Sequence, residues 1–473
     1  MPDRVDLIVR NGTVVTTGGQ YEADLAIANG RFVAIGAPGQ PRLEADEVYD
    51  ASGQHVLPGV IDGHVHFREP GLEYKEDFHT GSRAAVMGGV TTVLDMPNTL
   101  PPTATLEVVR LKQELAESKS YCDVGFIGVF VNENVDRLGA MAAAGVVGFK
   151  CFLGETIGNL PAPDDGVMLD GMRAIRELGL RLGFHAENNQ IMQHLIRQAK
   201  AAGRSYPLAH LESRPTIAEI ESIQRMALFA HHSGAKIHIF HLSSADGLAT
   251  IQAWRRKGVD ITCETAAHYV FLTAEDMSRL GSRLRINPPV REPGHGGPLL
   301  EGLRTGAVTS IATDHSPHTR EEKLNDDIWQ ALSGFVGVEI SVPLFLTCAV
   351  NAGKMTLQQY VRASSEGPAK AWGLYPQKGA IQLGSDADLT IVDLNKEGVV
   401  DENRLHSKNN VTPFHGQRTK GAPVATIVRG QVVMRDGELV GQPRGRMARP
   451  RRPIHARQVG EAHQTSGRSP LSS

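Results

Sequence analysis

The sequence predicts an α/β fold: a (β/α)8 TIM-like barrel with a small β-sandwich domain built from both chain ends. Three observations lead there. Short apolar runs alternate with helical patterns through the middle of the chain. A glycine-punctuated strand texture occurs at both ends. Side chains able to bind a metal or move a proton stand at the C-terminal end of one apolar run after another, which is where barrels carry their chemistry.

At the N-terminal end, Asp6 to Arg10 reads as a strand, and Asn11-Gly12 after it reads as a hairpin turn. The same texture returns in GSDADLTIVDL and VATIVRGQVVMRDGELVG. Residues 1–57 and 381–445 are therefore expected to meet in one small β-domain, with residues 58–380 forming the barrel. From 446 onward the sequence RGRMARPRRPIHARQVGEAHQTSGRSPLSS has no apolar period, so 446–473 is expected to be a disordered basic tail.

Eight apolar runs mark the barrel strands: Val56–Ile61, Val90–Leu94, Val124–Phe130, Val146–Phe149, Leu180–Phe184, Lys236–Phe240, Val259–Cys263 and Thr309–Thr313. Helical spacing lies between them, as in Val108, Leu111 and Leu115, and in Met168, Met172 and Ile175. Thr216 and Glu219 have the spacing of a capping box. A doubly wound open sheet shares this alternation. The polar residues favour the barrel, because only closure brings together His64 and His66, Asp95 to Asn98, Lys150, His185, His241 and Asp314 from six different strand ends.

Composition narrows the function. With 473 residues, 41% apolar and 21% charged, the chain can bury a large core. A formal net charge of -3 argues against a general nucleic-acid binder. No run approaches the roughly 20 apolar residues needed to span a bilayer, and the N-terminus lacks a secretory h-region, so a cytoplasmic location is expected. Cys122, Cys151, Cys263 and Cys348 are scattered without metal-type spacing, as reduced thiols would be.

His64 and His66 are two apart on a strand, which puts both imidazoles on one face. His185 and His241 add two imidazoles and Asp314 a carboxylate, a donor set that suits zinc and similar ions. Lys150 is the odd member, since an ammonium would be repelled by cations. A desolvated, neutral lysine could instead react with carbon dioxide to give a carbamate that bridges two metals. Two divalent ions about 3.5–4 Å apart could then hold a bridging hydroxide at neutral pH. Asp314 would take its proton as general base and return it to the leaving nitrogen as general acid.

At these residues the chain resembles the cyclic amidohydrolase branch of the amidohydrolase superfamily, which holds dihydroorotases, allantoinases and hydantoinases. The resemblance spans about residues 5 to 445. It implies that His64, His66, Lys150, His185, His241 and Asp314 bind two metals, zinc by family habit, with Lys150 carboxylated. DGHVHFREPGLEYKED, GGVTTVLDMPNTLPPT, INPPVR and ATDHSPHTREEK resemble dihydroorotase signatures. They imply reversible interconversion of dihydroorotate and N-carbamoyl-aspartate, a step of pyrimidine synthesis. By that resemblance Arg68, Asn98 and His318 bind the substrate carboxylate. Asn287 and Gly334 contact the ring, and Thr156 in FKCFLGET sits on a loop over the substrate.

HAEN, at 185–188, and SYPLAHLESRPTIAEIESIQR resemble allantoinases and hydantoinases instead. Ser316 and Ser333 stand where dihydroorotases more often carry alanine and phenylalanine. An allantoinase, or a hydantoinase of the dihydropyrimidinase type, is therefore the alternative. A non-catalytic assembly subunit is the alternative of another class, and the presence of all six ligands speaks against it. The relatives' habit implies a homo-oligomer, dimer or tetramer, acting on a small cyclic ureide without nucleic acid or membrane.

Overall fold

The computed structural model describes residues 4–40, 42–154 and 160–451. At its centre eight strands lie side by side in sequence order: Val60–Val65, Val90–Asp95, Asp123–Val129, Gly148–Phe152, Arg181–His185, Lys236–Ile239, Ile261–Thr265 and Ser310–Ile311. Every neighbouring pair is parallel. Helices cover the outside, so the first five strands are buried along their whole length, with polar residues among their apolar ones. The eight expected strands are all present, shifted by a few residues.

The eighth strand has only two ladder residues, and side chains return it to the first. Asp62 accepts hydrogen bonds from the backbone N of Thr313 (3.1 Å) and from its hydroxyl (2.5 Å). Val65 bridges His315, and the His66 N–H donates to the His315 carbonyl at 2.8 Å. The barrel interior is packed rather than hollow. A Cβ on Gly183 would sit 2.2 Å from the Phe240 ring, so glycine there leaves room for a large inward neighbour.

The two chain ends meet as expected, in a nine-stranded sheet separate from the barrel. The strand Leu389–Val399 from the C-terminal part pairs with His55–Pro58 from the N-terminal part. A separate apolar cluster unites Leu7, Val14, Leu25 and Val56 with Ile391, Ala425 and Ile427. Asn11-Gly12 is not the hairpin turn. The strand Arg4–Thr16 runs through it with a break in register, and Asn11 takes a φ of 60°. The sequence signal marks a bulge, which also needs a left-handed residue; the strand reverses near Gly18 instead.

Two helical expectations change. In the helix Leu106–Lys119 the buried face is Val108, Val109, Lys112 and Ala116, while Leu111 is exposed. A buried ammonium sits in the middle of that face, so an apolar period could not locate it. Thr216 is the first residue of the helix Thr216–Ser233, and its side chain makes no cap. Glu219 is buried and accepts instead from Ser243 N (2.9 Å), Ser243 Oγ (2.8 Å) and Ser244 Oγ.

The first residues of the expected tail are held against the barrel. Val124 N donates to the Arg446 carbonyl (3.0 Å) and Ala448 N to the Val124 carbonyl (2.9 Å), which ties this stretch to the third barrel strand. Residues 452–473 lie outside the described residues. No described helix is long and apolar enough to cross a membrane.

Candidate metal centre

The strand order converts six distant positions into one cluster. His64 Nε2 lies 2.9 Å from Lys150 Nζ. Asp314 Oδ1 lies 3.2 Å from both His64 Nε2 and His66 Nε2. His185 Nδ1 lies 2.9 Å from His241 Nε2, and the His64 and His241 ring centres are 5.3 Å apart. All six side chains are buried. Arg68, His241 and Asp314 have φ of 65°, 38° and 50°, left-handed values that aim each side chain inward where a strand breaks into a loop.

Burial decides the charge states. It holds the His64, His66 and His241 imidazoles well below their usual pKa and lowers that of His185, so four neutral nitrogen donors face one spot. Burial brings the Lys150 amine down to about 8, against the pull of Asp314 and Glu264. It pushes the Asp314 carboxyl up to about 7, opposed chiefly by Lys150. His64, His66 and Asp314 offer ligand atoms all within 4.8 Å of one another, and His241 Nδ1 is buried with no hydrogen-bond partner among the described residues. Neutral imidazoles, a carboxylate and an orphaned ring nitrogen fit a cation of the zinc type.

Behind the cluster stands a supporting layer, of which the sequence pointed to Asp95 alone. Glu264, next to last in the seventh barrel strand, puts Oε1 2.6 Å from His64 Nδ1 and Oε2 3.2 Å from His238 Nε2. Glu187 Oε2 accepts from His185 Nε2 at 2.9 Å and from Arg214 Nη1 at 2.5 Å. Asp95 ends the second barrel strand, accepts from Phe67 N at 2.9 Å and pairs with Lys112 at 2.5 Å. The available signal for Glu264 and Glu187 was a carboxylate in or just after a barrel strand, in CETAAH and HAEN.

Above the cluster opens a cavity of about 380 Å3. Arg68, Asn98, Asn287, Ser316 and Ser333 form part of its polar wall, together with Arg214 and Arg285; Phe152, Ile196, Trp329 and Leu332 supply apolar surface. Arg68 is buried, and its Nε and Nη1 have no partner among the described residues. Asn98 hydrogen-bonds His66. The Asn287 amide meets Ser333 Oγ at 3.1 Å and, with its oxygen turned to Arg214, Nη2 at 3.2 Å. His318 stands behind this wall: its Nδ1 is 3.1 Å from Lys75 Nζ and its Nε2 is 3.0 Å from the Ser333 carbonyl. Gly334, at a φ of 130°, packs against Ser316, also behind the wall. Thr156 and its loop neighbour Gly158 lie outside the described residues.

A parallel barrel with a histidine–aspartate cluster at the C-terminal mouth is the plan of a metal-dependent hydrolase. The chain belongs to the amidohydrolase family, whose model matches residues 55–433. It is 37% identical over 449 residues to a protein of Deinococcus radiodurans named allantoinase, covering 94% of this chain and 99% of that one. It is also 37% identical over 439 residues to an L-hydantoinase of Paenarthrobacter aurescens, covering 92% and 96%. Among solved structures, an L-hydantoinase (dihydropyrimidinase) from Arthrobacter aurescens superposes with a TM-score of 0.91 at 36% identity, over 94% of this chain and all of that one.

These relatives correct the sequence expectation. They are named allantoinase and hydantoinase, not dihydroorotase. The alternative that HAEN and SYPLAHLESRPTIAEIESIQR suggested agrees with those names.

Proposed function

We propose that the chain opens the ring of a five-membered cyclic ureide, allantoin first, by metal-dependent hydrolysis. The observation that carries this reading is the cavity wall. Its buried guanidinium, amides and hydroxyls suit a ring and side chain rich in carbonyls and N–H groups. His318 is the exception: its nitrogens are engaged by Lys75 and Ser333, so dihydroorotate's carboxylate loses one partner that the resemblance offered it. The names of the relatives lean the same way.

His64, His66, His185, His241 and Asp314, with Lys150 as its carbamate, would hold two divalent ions, zinc by the donor set. A carbamate needs an unprotonated amine, and the lowered pKa of Lys150 supplies one near neutral pH. The metal pair, when bound, lowers the pKa of water and polarises a carbonyl. Arg68 and the wall amides orient the ring, and the buried setting keeps their hydrogen bonds strong. Asp314 accepts the proton of the attacking water and delivers it to the departing ring nitrogen. The hydroxyl ends on the former carbonyl carbon and the proton on nitrogen.

The second reading is a hydantoinase. Phe152, Ile196, Trp329 and Leu332 favour it, because they could receive an apolar substituent on the ring. One panel separates these readings: kcat/KM of the purified enzyme on allantoin, a benzyl-substituted hydantoin, dihydrouracil and dihydroorotate, with metal analysis alongside. The highest value is expected for allantoin. A clear preference for the benzyl hydantoin transfers the case to the second reading, and a preference for dihydroorotate overturns both.

A further inference from the structure

His64 reaches the centre through Nε2, so the opposite ring nitrogen decides which tautomer it presents. Nδ1 faces the Glu264 carboxylate at 2.6 Å, and both side chains are buried without measurable exposure. A carboxylate accepts hydrogen bonds and donates none. With Glu264 ionised, His64 carries its proton on Nδ1 and leaves the Nε2 lone pair directed at Lys150 and Asp314. Burial pushes the metal-free Glu264 carboxyl up to about 8 against the pull of Lys150, and a cation held by His64 favours the ionised form. The second carboxylate oxygen accepts from His238 Nε2 at 3.2 Å, and the Thr262 hydroxyl lies 2.8 Å from His238 Nδ1. Glu264 Oε1 also faces the backbone N–H of His241 at 3.4 Å. One carboxylate thus ties together the first, sixth and seventh barrel strands underneath the site.

His238 needs an explanation of its own. It is a buried histidine, three residues before His241, and it touches none of the six cluster residues through a hydrogen bond. Its ring packs against Phe240 and Trp372, with centres 4.9 and 5.0 Å away. A histidine clamped between a hydroxyl and a carboxylate has one stable orientation. What it does there is hold Glu264 at the reach His64 requires.

We infer that Glu264, braced by His238, is a positioning residue that fixes the tautomer and orientation of His64 for metal binding. This rests on the reading of His64 as a metal ligand. Carboxylates behind ligating histidines raise ligand basicity, and losing one costs about 10–100-fold in metal affinity or activity. Glu264→Gln keeps the shape but removes the negative charge behind His64, and only its amide oxygen can accept the His64 Nδ1 proton.

The test is Zn2+ titration of the metal-free full-length protein against a chromophoric chelator, for wild type, Glu264→Gln, His238→Gln, His64→Ala and the double variant His64→Ala/Glu264→Gln. Thermal unfolding of each metal-free form reports whether it is folded. The expected result is an affinity loss of about 10–100-fold in Glu264→Gln. A smaller loss is expected in His238→Gln, and no further loss when Glu264→Gln is added to His64→Ala. KM of the loaded Glu264→Gln enzyme should stay within a few fold of wild type. Wild-type Zn2+ affinity in a folded Glu264→Gln protein overturns the inference, as does a full extra loss in the double variant. Unchanged Zn2+ binding in His64→Ala alone would instead sink the metal reading itself.

Discussion

Asp314 and His64 share one oxygen–nitrogen contact of 3.2 Å, yet they should fail differently when removed. In the proposed reaction Asp314 is a ligand and also the proton carrier, whereas His64 is a ligand alone. Asp314→Ala is expected to lower kcat by about 10²–10⁴-fold while largely sparing metal content, and His64→Ala to lower metal content itself. Metal analysis beside kcat checks this, and equal metal loss in both variants would remove Asp314 from the proton-transfer role. Arg68 tests the substrate side. Arg68 lines the cavity and two of its nitrogens have no partner among the described residues, so Arg68→Met should raise KM for allantoin by about 10–100-fold, the range for one hydrogen bond to a charged group. An unchanged KM would mean that the guanidinium faces something other than substrate.

Strand ends are where this fold places its functional groups, and each end needs an anchor. At the second barrel strand the anchor is Asp95, which holds the Phe67 N–H just beyond His66. Lys112 neutralises Asp95 from the helix Leu106–Lys119 and also donates to the Met96 carbonyl at 3.1 Å. Both charges are fully buried, so removing one strands the other. Lys112→Met is therefore expected to destabilise the protein by about 3–5 kcal/mol, read from urea unfolding. A change below about 1 kcal/mol would show that Asp95 is satisfied without it. The same pair explains why the apolar period of this helix misled: its buried stripe is centred on a lysine.

Across the whole molecule, buried groups tie the barrel to the end sheet. Asp123, Asp386 and Asp388 converge in a geometry that could hold a cation, and the Lys378 ammonium fills it, bonding all three. Buried neutral histidines set the acid limit of stability. His268 packs against Phe335, and burial brings its pKa down to about 3 from 6.5. Between those values the unfolded chain binds the proton and the folded chain does not. The stabilisation is complete above pH 6.5 and falls as pH drops toward 3, by about 1.4 kcal/mol per pH unit for one such group. Urea midpoints of the metal-free protein should therefore fall from pH 7.5 to pH 5, and less steeply in His268→Gln. Parallel pH profiles for the two proteins would rule out this histidine as a source of the acid sensitivity.

The order of residues alone determined the eight strands, their helices, the joining of the two ends and the six-residue cluster. Those features rest on local rules: buried parallel strands read as apolar runs, and a barrel gathers whatever ends its strands. Local rules also misassigned Asn11-Gly12 and Thr216, since a bulge and a turn ask for the same residues and a buried glutamate looks like a cap. Only the tertiary structure decided that Glu264 stands behind His64, that His318 faces Lys75 and Ser333, and that Lys112 belongs to the core. Glu264 and His64 are 200 positions apart, and His318 and Lys75 are 243 apart. Pairing at such range is set by how strands close and side chains exclude water, and no spacing along the chain encodes it.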